Sequence, residues 1–294
     1  MGIEGPIMPP MEEATKVIKT IEETGYDSIW WPDHWMGWVP ESIWTPGLVG
    51  EIANRIPNPH IFFETYTTMA VASYLTSQVF LGTCVTDAVR RHPAEIAQTF
   101  LTLDYISKGR VILGMGAGEL LNIEPYGIRW GMPVKRLKEA VEIVRSLWSG
   151  KKVNYEGEFW KLKDATMSLP PIAENKHPPI WIGAHREKML KLTGELGDGW
   201  VPSQLECDEY AEKLKIVKDS AKKAGRNPES IIFALLISVV IDEEHNECHR
   251  MFHSTIGKLH TLLIPPERYR KYGFEHPFKN FYAFTDFVPT RISR

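Results

Sequence analysis

Cysteine is scarce in this 294-residue chain: three residues, at 84, 207 and 248. An odd, widely spaced set argues against a disulfide framework and for a reducing compartment, the cytoplasm. An excess of charge is also missing. Lys and Arg number 34 and Asp and Glu 37, a net charge of −3, so no electrostatic footprint for nucleic acid or an anionic membrane is present. No apolar run approaches the roughly 20 residues needed to span a bilayer. The opening Met1-Gly2-Ile3-Glu4-Gly5-Pro6 has no basic stretch followed by an apolar one, so no secretory signal is expected. Position 6 also lacks the Ser or Thr of a myristoylation signal. A His-Glu-x-x-His order is absent. His245, Cys248, His249 and His253 do share one helical region at i, i+3, i+4 and i+8, a spacing that can hold zinc. With no further ligand cluster, a solvated helix face is the better reading, and no metal is expected.

What the chain has is apolar content, 43%, and ten tryptophans, enough for one large domain and for aromatic-lined clefts as well as ordinary core. Strand, turn and helix alternate. Strands are predicted at Ile3, over 28–31, 79–83, 110–115 and 179–183, at Trp200-Val201 and over 231–241. Between them, apolar residues recur at helical spacing. Val134, Leu137, Val141, Val144 and Trp148 step by three, four, three and four, which predicts an amphipathic helix. Pro93 suits a first helical position, and Gly25 suits a helix end. Strands alternating with helices of this length imply a parallel sheet. Seven strands suit a (β/α)₈ TIM barrel better than an open sheet; an eighth strand is not visible and the first is very short. We expect one barrel domain over 1–294, with a hairpin insertion over 149–178 and an ordered but irregular segment over 265–294.

The second strand ends in Trp30-Trp31-Pro32-Asp33-His34-Trp35. Proline stops the sheet ladder, and an acid, a histidine, Trp35 and Trp38 follow. Titratable groups at a strand's C-terminal end are where a barrel keeps its chemistry, and histidine exchanges protons near neutral pH. The plainer reading makes Asp33 a turn cap and His34 a loop histidine. Gly114-Met115-Gly116-Ala117-Gly118-Glu119 looks like a dinucleotide fingerprint but follows the fourth strand, with no acid ending a next strand. Glycines that let backbone approach a flat ligand are a better account, with Glu119 and Asn122 offered beside it. Leu81-Gly82-Thr83-Cys84-Val85 ends the third strand, and Cys84 is more simply a packed small residue than a nucleophile. Gly183-Ala184-His185-Arg186 ends a strand and opens a helix, where free N–H groups and Arg186 could hold a phosphate; an exposed arginine at a helix start is the alternative.

Taken together, Trp30-x-x-Asp33-His34, Leu81-Gly82-Thr83-Cys84-Val85, Gly114-x-Gly-x-Gly-Glu119-x-x-Asn122 and Gly197-Asp198-Gly199-Trp200 resemble the luciferase-like oxidoreductases. The likeness runs from about residue 6 to residue 242 and is nearest to the branch that uses coenzyme F420, an 8-hydroxy-5-deazaflavin. That branch includes glucose-6-phosphate dehydrogenases, methylenetetrahydromethanopterin reductases and ketoreductases. The resemblance implies a (β/α)₈ barrel, a homodimer, and the deazaflavin across the strand ends. It implies that Asp33 contacts the ring system and that His34 is the catalytic histidine with Glu119 as the second acid/base; Trp35 or Trp38 is expected to wall the site and exclude water. It further implies a non-prolyl cis peptide at Cys84-Val85, cofactor contacts from Ala117, Gly118 and Asn122, and a phosphate held by the segment 183–189, with Gly183, Ala184, His185 and Arg186. Where the sugar-phosphate enzymes carry a lysine after the sixth strand, this chain has Glu206, which argues against a sugar-phosphate substrate. Asp286 to Arg291 is similar to ketoreductases acting on long-chain lipid ketones. In relatives a further βα unit follows, whereas this chain ends at Arg294.

The activity implied is hydride transfer between the deazaflavin and a small alcohol/ketone pair or a pterin-borne one-carbon unit, with no nucleic-acid or membrane partner. A luciferase-like monooxygenase using FMN is one competing reading, and a non-catalytic cofactor-binding or partner subunit is another.

Overall fold

The computed structural model describes residues 1–173 and 176–292; residues 174–175 of the expected insertion and 293–294 of the expected C-terminal segment lie outside them. The contacts divide the chain into two compact units. The first comprises Met1–Asp33, Phe63–Gly118 and Trp130–Leu236; the second comprises His34–Phe62, Glu119–Arg129 and the described part of 237–294.

The first unit holds every strand of the described residues. These are β1 (Gly2–Glu4), β2 (Ser28–Trp31), β3 (Phe80–Thr83), β4 (Thr86–Asp87), β5 (Val111–Gly116), β6 (Val153–Glu156), β7 (Lys161–Ala165), β8 (Ile180–Ile182), β9 (Gly199–Trp200) and β10 (Ile232–Phe233). The main sheet runs β1-β2-β3-β5-β8-β9-β10, entirely parallel, and β4 pairs with the end of β5. Strand order follows chain order without reversal. That is barrel-type winding, since a dinucleotide-binding sheet reverses at a switch point. All six residues of β5 are buried, as are Ile29, Trp31, Leu81, Ile180 and Ile182. A parallel sheet covered on both faces accounts for that unbroken apolar run.

Helices Met11–Glu23, Thr65–Leu75, Pro93–Ser107, Pro133–Trp148, Glu187–Leu196 and Cys207–Lys223 connect the strands. Pro93 stands in the first turn of its helix. Leu137, Val141, Val144 and Trp148 are all buried, and the Trp148 indole N–H donates to the Ala97 carbonyl at 2.9 Å. The β6–β7 hairpin is pinned to the helix Pro133–Trp148 by Glu139, whose carboxylate accepts from the backbone N–H groups of Glu158 and Phe159, both at 3.0 Å. Among the described residues no helix is long and apolar enough to cross a membrane.

The run 231–241, expected to be one strand, is shortened to β10. Its backbone still bonds to residue 236, where Leu236 donates to the Pro202 carbonyl, and Leu236 forms an isolated bridge with Ser203. Val239 is 62% and Ile241 85% exposed. High β-propensity reports a side chain's fit to a sheet, not the presence of a neighbouring strand.

The second unit has no strand among its described residues. It consists of the chain leaving β2, the chain leaving β5, and the residues after Leu236, folded into short helices and turns such as Glu41–Ile43, Pro46–Val49, Ile52–Arg55, Leu120–Asn122, Pro266–Lys271, Ala283–Asp286 and Pro289–Arg291. Aromatic packing and a few polar ties organise it. Trp38 stacks on Phe287 at 5.5 Å and meets Phe284 edge-on at 5.8 Å. Arg291 pairs with Glu124 at 2.5 Å.

Candidate active site

In the first unit the chain from Phe80 to Asp87 is one strand broken at Cys84-Val85, where the peptide is cis. β3 faces the first half of β5 and β4 its last two residues. Cys84 and Val85 are only half-buried, between buried neighbours on both sides. The glycines of the 114–118 run make room for this break. A Cβ on Gly114 would lie 1.8 Å from the Thr83 carbonyl oxygen, and one on Gly116 would lie 2.5 Å from a Val85 methyl. One on Gly183 would come within 3.2 Å of the other Val85 methyl. Gly118 has φ +84°, a conformation that disfavours any residue with a Cβ. The run that looks like a phosphate-binding fingerprint therefore serves strand packing first. The result is a half-exposed apolar ledge at the strand ends, bordered by positions without side chains.

Asp33 is buried at the end of this unit's second strand segment. Its carboxylate accepts from Thr86 Oγ1 at 2.7 Å and from Arg91 Nε and Nη2 at 2.8 and 2.9 Å, with Arg90 Nη2 3.2 Å away. Arg90 Nη2 also donates to the Asp33 carbonyl at 2.6 Å. Burial alone would raise the carboxyl's pKa, but the two guanidinium groups and the Thr86 hydroxyl hold it below the ordinary value. Thr86 gives its one proton to Asp33, so in the 2.9 Å contact with Tyr66 the phenol is the donor. Burial, and then the nearby Asp33 charge, push the Tyr66 phenol far up, so it stays neutral. The acid expected against a cofactor ring is thus already engaged by four neighbouring donor groups. Arg90 and Arg91 are residues that motif reading missed. A buried Asp33 needs a cation, and the Asp87-x-x-Arg90-Arg91 segment was where to look for it.

The segment 183–186 ends β8 and leads into the helix Glu187–Leu196. The Ala184 carbonyl accepts from the Trp200 indole at 3.0 Å, and the His185 carbonyl accepts from Lys213 Nζ at 3.0 Å. His185 Nε2 accepts from the Ser203 N–H at 3.3 Å. Arg186 is exposed at the N-cap position and supplies no side-chain cap. Ala117 is half-buried, and its carbonyl accepts from the Trp130 indole at 3.0 Å. Glu206 is the N-cap of the helix Cys207–Lys223, its N–H donating to Glu209 at 3.4 Å.

The second unit brings His34, Trp38, Glu119 and Asn122 together. His34 is 9% exposed. Its Nδ1 lies 3.1 Å from the Met36 carbonyl, which can only accept, so that nitrogen carries a proton. Its Nε2 lies 3.3 Å from Glu119 Oε2. Nδ1 being committed, this contact is a hydrogen bond when one proton is shared, as imidazolium with carboxylate or imidazole with carboxylic acid. Phe62 stacks on the imidazole at 5.9 Å and Trp38 lies at 6.1 Å. Asn122 Oδ1 accepts from the backbone N–H groups of Trp35 and Met36 at 2.8 and 3.3 Å. Trp35 itself is partly exposed and meets Tyr126 edge-on at 4.7 Å. Such a pair, walled by aromatic rings, can deliver or remove a single proton at a partner's oxygen. Among the described residues no three His, Cys, Asp or Glu converge on a metal position. The histidine-rich helix brings only His245 and His249 together, with their Nε2 atoms 3.0 Å apart.

Comparison with known proteins gives the family and the fold. Residues 2–289 match the luciferase-like monooxygenase family. The chain belongs to that family. A phthiodiolone/phenolphthiodiolone dimycocerosates ketoreductase of Mycobacterium kansasii is 37% identical over 271 residues, covering 90% of this chain and 74% of the relative. An F420-dependent glucose-6-phosphate dehydrogenase of Microbacterium testaceum is 33% identical over 231 residues, covering 76% of this chain and 63% of the relative. Among solved structures, an F420-dependent secondary alcohol dehydrogenase in complex with an F420-acetone adduct superposes with a TM-score of 0.75 over 97% of this chain and 85% of the other, at 24% identity. At that identity the likeness speaks for the fold: this luciferase-like chain has the α/β, TIM-barrel type of architecture expected from its strand pattern.

Proposed function

We propose that this luciferase-like protein is a coenzyme F420-dependent oxidoreductase acting on an alcohol/ketone pair. The observation that carries the reading is the His34–Glu119 pair, 3.3 Å apart, with the imidazole's other nitrogen held by the Met36 carbonyl. Interconversion of a ketone and an alcohol needs one hydride at carbon and one proton at oxygen. The pair supplies a group able to hold that one proton. The names of the relatives, a ketoreductase and an F420-dependent dehydrogenase, support the same class.

The ledge fits a flat ring. Cys84 and Val85 present a half-exposed apolar surface, and Gly116, Gly118 and Gly183 border it without side chains. In this reading Cys84, Val85, Ala117 and Gly118 hold the ring, Gly183 borders it with its own N–H donated to the Met115 carbonyl at 2.9 Å, and Ala184, His185 and Arg186 hold the phosphate-bearing tail through backbone N–H groups and the Arg186 charge. When bound, the deazaflavin supplies a carbon that gives or accepts hydride. Asp33 acts from behind, fixing Arg90, Arg91 and Thr86. His34 Nε2 donates the proton to a ketone oxygen in reduction and takes it back in oxidation. Glu119 stabilises the imidazolium and holds the proton when His34 is neutral. Trp38 and Phe62 keep water from the imidazole.

The substrate proposed is apolar. Trp38, Phe62, Phe284 and Phe287 surround or extend from the histidine, and Glu206 stands where a cation would grip a sugar phosphate. Incubation of the protein with reduced F420 and a series of alkyl ketones, followed by deazaflavin absorbance, tests the reading. Oxidation of F420 that depends on the ketone supports it. Turnover only with reduced pterins would reassign the substrate, and FMN binding with oxygen consumption would replace the cofactor.

A further inference from the structure

We infer that Asn122 is a positioning residue that sets the protonation state of the His34–Glu119 pair, rather than a direct contact to the cofactor; the inference rests on the proposed role of that pair. Asn122 is 1% exposed. Two backbone N–H groups, of Trp35 and Met36, point at one end of its amide. Both can only donate, so that end is the oxygen. The NH₂ end is then fixed and faces Glu119 Oε2 at 3.5 Å, a long contact. This Oε2 is the oxygen that also meets His34 Nε2.

A single amide therefore reaches both partners of the proton pair. Through Oδ1 it holds the backbone at 35–36. The carbonyl of Met36, in that same stretch, receives the His34 Nδ1 proton. With the carbonyl in place, the neutral imidazole keeps its proton on Nδ1 and turns a lone pair on Nε2 toward Glu119. Through Nδ2 the amide favours the ionised form of Glu119, since an N–H donor stabilises carboxylate more than carboxylic acid. The ring's other neighbours, Phe62 and Trp38, carry no charge, and Asp33, next along the chain, is held as a carboxylate by Arg90 and Arg91. The amide oxygen already accepts two backbone donors, so its capacity for a ligand is small.

Two substitutions separate the amide's two ends. Asn122→Leu removes both; Asn122→Asp keeps the acceptors and puts a negative charge beside Glu119. The first readout is the ¹⁵N spectrum of the histidine rings in the cofactor-free protein, with His34 identified by its loss in His34→Gln. The second is the single-turnover rate with reduced F420 and a ketone, alongside F420 affinity. For Asn122→Leu we expect the Nδ1–H form of His34 to give way to a mixture and the rate to fall about 10²-fold, with F420 affinity little changed. For Asn122→Asp we expect Nδ1 to keep its proton and the imidazole's pH midpoint to rise by about one unit, because the added charge favours imidazolium.

An Asn122→Leu protein with the parent's tautomer and rate would overturn the inference. So would a loss of F420 affinity with the tautomer intact, which would make Asn122 a cofactor contact. Should the leucine variant not fold, an unchanged midpoint in Asn122→Asp overturns the inference by itself. If the parent transfers no hydride from F420 while the ring spectra change as stated, the cofactor reading fails and the positioning role stands.

Discussion

His34 Nε2 lies 3.3 Å from Glu119 Oε2, while the same ring's Nδ1 is 3.1 Å from the Met36 carbonyl. The two contacts leave the imidazole one direction in which to exchange a proton. Replacing His34 with alanine should lower the hydride-transfer rate by about 10²–10⁴-fold, the usual contribution of a general acid–base group, and leave F420 binding intact. Stopped-flow absorbance for the rate and fluorescence quenching for binding check the two halves. A His34→Ala protein that turns over like the parent would remove histidine from the mechanism.

Asp33 makes the protein acid-sensitive in a defined direction. Its carboxyl is held below the ordinary value by Arg90, Arg91 and Thr86 against the opposing effect of burial. A group whose folded pKa is depressed stabilises the fold above its unfolded pKa, and that stability is lost as pH falls through the folded value. The unfolding free energy should therefore decline below the ordinary aspartate range of about 4, and Asp33→Asn should flatten that decline. Removing one partner of a buried ion pair also leaves cations uncompensated, so Asp33→Asn should cost roughly 3–5 kcal/mol at neutral pH. Urea unfolding of both proteins at several pH values measures both effects.

The glycines around the Cys84–Val85 break give a packing prediction. Gly116→Ala places a Cβ 2.5 Å from a Val85 methyl and should destabilise by about 1–3 kcal/mol through overpacking. F420 affinity should weaken as the ledge shifts. Gly131→Ala, with nothing within 4 Å of the new Cβ, is the control and should leave stability and affinity near the parent's. Thermal unfolding and cofactor titration of the two variants decide between them.

Trp38 stacks on Phe287 and lies beside His34. Its removal should act on substrate more than on cofactor. Trp38→Ala should raise KM for longer alkyl ketones more than for acetone, because the lost contact is apolar area, worth about 25 cal/mol per Å². Steady-state kinetics over a ketone series reads this directly. Equal effects on all chain lengths would place the indole away from the substrate.

Much of the architecture was legible in the residues themselves. The runs 28–31, 111–116 and 180–182 are apolar because both faces of a parallel sheet are covered, and that pattern needs no tertiary knowledge. The helix Pro133–Trp148 announced itself by spacing: of its spaced apolar positions Leu137, Val141, Val144 and Trp148 are buried and Val134 is partly so. The strand ends put Asp33-His34 and Gly118-Glu119 at loop starts, as expected. What the sequence could not show was pairing. No motif marked Arg90 and Arg91, whose contacts to the buried Asp33 appear only in the fold. Gly114 and Gly116 read as room for a ligand until Thr83 and Val85 are seen filling it. Asn122 read as a ligand contact, and its oxygen accepts from backbone N–H groups 87 and 86 residues away in sequence. The run 231–241 misled in its length: among the described residues only Ile232–Phe233 of it forms a strand, beside Gly199–Trp200, because β-branched side chains report fit to a sheet and not a neighbouring strand.

The most direct test of the account is an anaerobic titration of the purified protein with F420 and, separately, with FMN, followed by addition of a ketone to the reduced complex. The account predicts saturable quenching of deazaflavin fluorescence in both the parent and His34→Ala, and ketone-dependent return of the oxidised deazaflavin's absorbance that is about 10²–10⁴-fold slower in His34→Ala. Binding of FMN in preference to F420, or reoxidation that proceeds equally well without His34, would contradict it.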